Sequence, residues 1–140
     1  AVGALESELT RLAAALLAAG DEAALSHRTA AVVWGLLPAR PADPVEVTLL
    51  NAGGSKRQGV RVHHAELTTA DLRHRHGLRL TAPARTLLDL AASSPRELDA
   101  AAQLAVGQFD WRDAPRGWQV ACAELAVSVI ADWERLGLTL

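Results

Sequence analysis

The sequence predicts an α+β domain: a small mixed sheet of about three strands, packed by helices, with a helix-rich C-terminus. Three observations predict it. Half of the 140 residues are hydrophobic but only 4% are aromatic, so Ala, Leu and Val must fill the core and helix should dominate. Residues 45–50, 60–64 and 78–81 carry apolar side chains with the two-residue period of strands. The segments around them repeat apolar residues at helical spacing and are too long for an all-β chain. The length suits one domain with a sizeable core.

Leu5, Leu9, Leu12 and Leu16 make residues 4–19 an amphipathic helix. It ends at Gly20, which tolerates the positive φ found past helix ends. Ser26 stands where an N-cap belongs, and Ala30, Val33, Trp34 and Leu37 form the buried stripe of a second helix, closed by Pro38, Pro41 and Pro44. "VEVTLL" (45–50) and "VRVHH" (60–64) read as a hairpin whose tip is the Gly-rich 51–59. Residues 67–74 read as a short helix capped by Thr68 or Thr69 and broken at Gly77, before a third strand at 78–81. Pro83 opens "PARTLLDLAA", with Thr81 or Ala82 at the cap and Leu87, Leu88, Ala91 and Leu98 expected in the core. Ser94, Pro95 and Glu97 form a capping-box pattern for the next helix. Residues 118–136 are apolar on most faces, expected as core or as a homodimer interface through Trp118, Leu125, Val129 and Trp133.

A single Cys (Cys122) excludes an internal disulfide and fits a reducing cytoplasm. Residues 12–20 are apolar but too short to span a bilayer, and Glu6 and Glu8 precede them where a signal peptide carries positive charge, so a cytoplasmic protein without a membrane partner is expected. The missing initiator Met suggests a fragment or a processed product. Net charge is −2, yet residues 51–86 hold seven Lys or Arg against two acids, a local +5. Lys56, Arg57, Arg61, His63 and Arg79 are the candidates there for binding nucleic acid or an acidic partner.

Each chemical motif has a plainer reading. Ser26 and His27 suggest a nucleophile and its base, but adjacent helical residues point roughly 100° apart and no Gly-x-Ser-x-Gly elbow surrounds them, so a structural cap is favoured over catalysis. His63, His64, His74 and His76 lack Cys or carboxylate partners at ligand spacing and sit among Arg61, Arg73 and Arg75, so no metal is expected. "GGSKRQG" joins two strands and lacks the phosphate-loop pattern. Asp43 and Glu46 have no Glu-x-Lys following them, which argues against a restriction-type nuclease. Arg85 and Asp89, four apart, are expected to pair along their helix. No catalytic residue and no cofactor is assigned.

The ordered blocks "ALSHRTAAVVWGLLP", "PVEVTLL", "GVRVHHAEL" and "GLRLTAPARTLLDLAA" resemble the C-terminal region of AbiEi-type antitoxins of bacterial type IV toxin–antitoxin systems and their actinobacterial relatives, over about Ala1 to Leu104. The resemblance implies an α/β antitoxin domain over residues 1–106 and no enzyme activity; residues 107–140, read as a helical extension of the same domain, match neither the antitoxin arrangement nor that of relatives in which an endonuclease domain follows. It further implies a nucleotidyltransferase-type toxin as partner and an operon-repressing, DNA-binding winged helix-turn-helix that would precede this region. The alternatives are a nucleic-acid-binding module built on the basic 51–86 segment, or an inert remnant of a nuclease-linked protein.

Overall fold

A computed structural model describes residues 2–40, 42–50 and 58–108. In chain order they form α1 (Val2–Ala19), β1 (Ala23–Leu25), α2 (His27–Val33), β2 (Val45–Leu49), β3 (Val60–His64), a 3-10 turn (Thr69–Asp71), β4 (Leu72–Arg75), β5 (Leu78–Thr81), α3 (Pro83–Ser93) and α4 (Pro95–Gln108). The strands form one five-stranded mixed sheet in the order β3-β2-β1-β5-β4. The class is α+β as expected, but the sheet has two strands more than the sequence suggested.

The two added strands were hidden for different reasons. β1 is only "AAL", buried at all three positions, so it shows no alternation. It lies between β2, antiparallel, and β5, parallel, and ties the two halves of the sheet together. The second, β4, falls inside the segment expected to be a helix. Thr68 does open a turn there, its amide and hydroxyl both donating to Asp71 Oδ2 (2.9 and 3.1 Å), but the turn is a single 3-10 turn and the chain then extends as β4. Its β4–β5 hairpin turns on His76 and Gly77 with φ of 53° and 75°, the left-handed pair that a tight two-residue hairpin requires.

The expected hairpin of 45–50 with 60–64 is corrected as well: β2 and β3 run parallel, Val45 beside Val60 and Leu49 beside His64. The ten residues from 50 to 59 can span ~33 Å extended, twice the length of a five-residue strand, so they suffice to bring the chain back to the starting end. A connection of this length permits a parallel return as well as the long hairpin tip expected.

Two cores result. Leu12 and Ala15 of α1 pack on Leu25, Val45, Val47, Leu78 and Leu80, covering one face of the sheet. α2, α3 and α4 form a second core through Ala31, Leu36, Leu87, Leu90, Leu98 and Ala101. Gly20 ends α1 at φ 106° as expected. Leu88, expected in the core, is 42% exposed, because Leu87 and Leu90 already fill the helix–helix seam. α2 stops at Val33, short of Pro38, in a turn through Trp34 and Gly35. Trp34 is only partly buried, and its indole N–H donates to the Thr81 carbonyl at 2.8 Å. α4 runs to Gln108, across the expected boundary at 106/107. The 118–136 helix and its proposed interface residues lie outside the described residues. No helix among the described residues is long and apolar enough to cross a membrane.

Candidate polar site at the start of α2

Strand alternation puts Val45, Val47 and Leu49 toward α1 and leaves Glu46 and Thr48 on the opposite face of β2. The parallel register sets Arg61 beside Glu46 and His63 beside Thr48, so these four side chains share that face. β1 delivers Ser26 and His27 to the same place: the Ser26 amide continues the ladder by donating to the Glu46 carbonyl at 3.0 Å, and α2 begins at the next residue.

Ser26 is the N-cap residue in position, as expected, with its carbonyl accepting from the Ala30 amide. Its hydroxyl makes no cap bond. Thr48 Oγ1 donates to Ser26 Oγ at 2.7 Å, and Ser26 Oγ lies 2.8 Å from His27 Nδ1. The capping role falls to Glu46, whose Oε2 accepts from the Arg28 amide at 3.1 Å, while the Glu46 amide donates to Thr29 Oγ1 at 2.9 Å. A carboxylate from the neighbouring strand thus satisfies an orphan donor of the first helical turn.

The contact between Ser26 and His27 corrects the expectation that adjacent residues could not meet. That expectation assumed helical backbone at both positions. Ser26 is extended (φ −146°, ψ 178°) and His27 has φ 54°, so the backbone reverses between them and brings the side chains together. Left-handed φ is costly for a residue with a Cβ, roughly 1–2 kcal/mol, and persists only where surrounding contacts hold it.

The His27 ring lies on the ring of His63, centroids 3.7 Å apart and planes 15° from parallel. His63 Nε2 is 3.1 Å from Glu46 Oε1, and Arg61 Nη1 stands 3.6 Å from the same oxygen. α3 closes the far side with the expected ion pair, Arg85 Nε to Asp89 Oδ1 at 3.1 Å, and Arg85 also reaches Asp71 at 3.8 Å. Burial pushes the His27 imidazole below its ordinary range, with the neighbouring His63 and Arg85 adding to the effect. Burial likewise raises the Asp89 carboxyl, against the pull of Arg85 and His27.

Arg28 organises a second network. Its Nε donates to both oxygens of Glu97 (3.2 and 3.1 Å) and Nη2 to the Pro38 carbonyl at 2.9 Å. Nη1 lies 2.9 Å from Asp43 Oδ2, a close ion pair outside hydrogen-bond geometry. Glu97, expected to complete a capping box, thereby joins α4 to the start of α2. Thr81 and Thr86 form a buried hydroxyl pair at 2.7 Å, and Thr86 also donates to the carbonyls of Thr81 and Ala82.

The residues expected to form one basic face are separated. Arg61 and His63 are on β3 at one end of the strand order and both lean on Glu46. Arg79 is on β5, three strands away, where Nη1 donates to the Asp21 carbonyl. Lys56 and Arg57 lie outside the described residues. His64, His74 and His76 are exposed, and among the described residues no three His, Cys, Asp or Glu are placed to hold a metal ion. Of the Ser26, Arg85 and Asp89 assigned to structure, all three border the His27 cluster. Glu46, Thr48 and Arg28 were not singled out as its organisers. For Glu46 the available signal was an acid at a strand position facing away from the apolar side.

The Ser26 hydroxyl is 0% exposed, and both of its hydrogen bonds stay inside the fold. His27 and His63 are partly open to solvent. The arrangement can hold and exchange a proton at the imidazoles, but it presents no serine oxygen to a dissolved substrate. No family model matches the chain, and no curated protein or solved structure does.

Proposed function

We propose that this is a non-catalytic binding domain of antitoxin type, which counteracts a nucleotidyltransferase-type toxin within a protein that carries its operator-reading winged helix elsewhere. One observation carries the reading: the Ser–His pair, the most enzyme-like feature of the sequence, is enclosed, with Ser26 at 0% exposure and its hydroxyl held between Thr48 and His27. The blocks of family resemblance support it, because their polar residues serve architecture. Ser26, His27 and Arg28 join α2 to the sheet and to α4, while Thr86 joins α3 to β5 and Arg85, held by Asp89, joins it to the 3-10 turn.

The test is co-expression with the nucleotidyltransferase encoded beside the gene. The expected result is a complex recovered by affinity purification and relief of growth arrest. Folded Ser26→Ala should retain both. Loss of relief by ~10³-fold in folded Ser26→Ala would favour a catalytic serine, and a neighbouring gene of another kind with no bound nucleotidyltransferase would remove the reading.

A second reading, nucleic-acid binding, is favoured by the β4–β5 hairpin, where Arg73, Arg75 and Arg79 stand with the exposed His74 and His76 at the end of the sheet. Its mark is a gel shift that weakens steeply with added salt; no shift at low salt disposes of it.

A further inference from the structure

The Thr48–Ser26–His27 chain has a direction that depends on His27 being neutral. Thr48 gives its proton to Ser26 Oγ, which leaves the Ser26 proton for His27 Nδ1. With Ser26 donating to Nδ1, neutral His27 carries its own proton on Nε2. A further proton must enter at Nδ1, the atom already receiving the Ser26 hydrogen bond. Nδ1–H then becomes a donor, and Ser26 must either accept from both neighbours or return its proton toward Thr48. Ser26 is 0% and Thr48 2% exposed, so either change leaves a hydroxyl proton seeking an acceptor out of reach of bulk solvent.

The same proton brings charge. The groups facing His27 are the stacked His63 from β3, Glu46 from β2 with Arg61 against it, and Arg85 and Asp89 from α3 with Asp71 behind Arg85. His63 and Arg85 oppose the charge, while Asp89 and Glu46 favour it. The backbone adds a third element, since the left-handed φ of His27 is held by the same contacts that a proton at Nδ1 would rearrange.

We propose that the Thr48–Ser26–His27 chain and its stack on His63 form a proton-operated latch, closed while His27 is neutral and opened by one added proton, which frees the start of α2 from β2 and β3. The burial that lowers the affinity of His27 for a proton keeps the latch shut at neutral pH. His63, on an edge strand and partly exposed, gives solvent protons a way to the stack. The latch acts on the joint between the sheet and the helical core, and it does not depend on which partner the domain binds.

The experiment is a histidine-ring and amide NMR titration of the full chain, from about pH 8 to about pH 5, where imidazoles change charge. The wild type is expected to show His27 as the Nε2–H tautomer at the upper end. Its midpoint should lie below the ordinary imidazole value of 6.5, with the amides of Ser26, Arg28, His63 and Asp89 moving at the same midpoint. His63→Gln removes the like charge and should raise the His27 midpoint; Ser26→Ala removes the donor to Nδ1 and should raise it too. The proposal is overturned if wild-type His27 titrates at or above the ordinary imidazole value of 6.5, holds its proton on Nδ1 at neutral pH, or titrates while those amides stay still. These three readouts come from the wild type, so they decide even if a variant does not fold.

Discussion

Replacing Glu46 by Ala should be among the most damaging single changes outside the apolar cores. The side chain is only 8% exposed, and its carboxylate serves three groups at once. It accepts from the Arg28 amide at 3.1 Å, a cap whose loss costs about 1 kcal/mol. It binds His63 Nε2 at 3.1 Å, and a hydrogen bond to a charged group contributes ~1.5–3 kcal/mol. Arg61 is 62% exposed at 3.6 Å, so solvent screening leaves it at most a few tenths of a kcal/mol. Part of the gain is offset by no longer desolvating a carboxylate, which puts the expected loss near ~3 kcal/mol. Urea unfolding followed by far-ultraviolet circular dichroism measures it, with Arg61→Ala as the companion expected to cost under ~0.5 kcal/mol. A loss below ~1 kcal/mol for Glu46→Ala, or an equal loss for Arg61→Ala, would refute the assignment of Glu46 as the cap and anchor of α2.

Other outcomes follow from the same geometry. Arg28→Lys keeps the charge but cannot reach Glu97, Asp43 and the Pro38 carbonyl together, and it should cost about 2 kcal/mol or more in the same urea assay. Leu90→Ala empties a fully buried site between α3 and its neighbours and should cost ~2–5 kcal/mol, whereas Leu88→Ser, on the open side of α3, should change stability by less than ~0.5 kcal/mol. Stability against pH should carry two opposed slopes. The lowered His27 contributes stability that is present above 6.5 and lost as pH falls through its folded value. The raised Asp89 contributes stability that is present below 3.8 and lost as pH rises through its folded value, so Asp89→Asn should abolish that slope and, by removing a charge that favours protonated His27, enlarge the His27 one when unfolding free energy is measured against pH.

Much of the architecture was legible because it is written in periodicity. Leu9, Leu12 and Leu16 show the face of α1, Val45, Val47 and Leu49 show the apolar side of β2, and Pro83 marks the first turn of α3. What failed was information that no local pattern contains. β1 is strand because two neighbours supply its hydrogen bonds, not because three residues prefer to be extended. "LRHR" and the turn before it alternate no more clearly as strand than as helix, and β4 is decided by pairing with "LRLT" across a two-residue turn. The parallel β2–β3 pairing was inaccessible because a ten-residue connection permits either direction, and the Gly-rich composition argued for the simpler one.

The polar site shows the same division more sharply. Arg85 and Asp89 were visible because a helix fixes residues four apart on one face. The contact between Ser26 and His27 was not legible because the 100° rule holds only inside regular helix, and His27 leaves it at φ 54°. That one dihedral converts a cap residue and its neighbour into a hydrogen-bonded pair, turns the imidazole onto His63, and passes the capping role to Glu46 on another strand. A left-handed residue other than Gly is costly in isolation, so something in the fold must hold it. The Thr48–Ser26–His27 chain, the stack and the Glu46 cap all require it. If the dihedral were incidental, His27→Gly would relieve the strain and stabilise the domain; if the contacts hold it, His27→Gly loses more than it relieves and the domain becomes less stable.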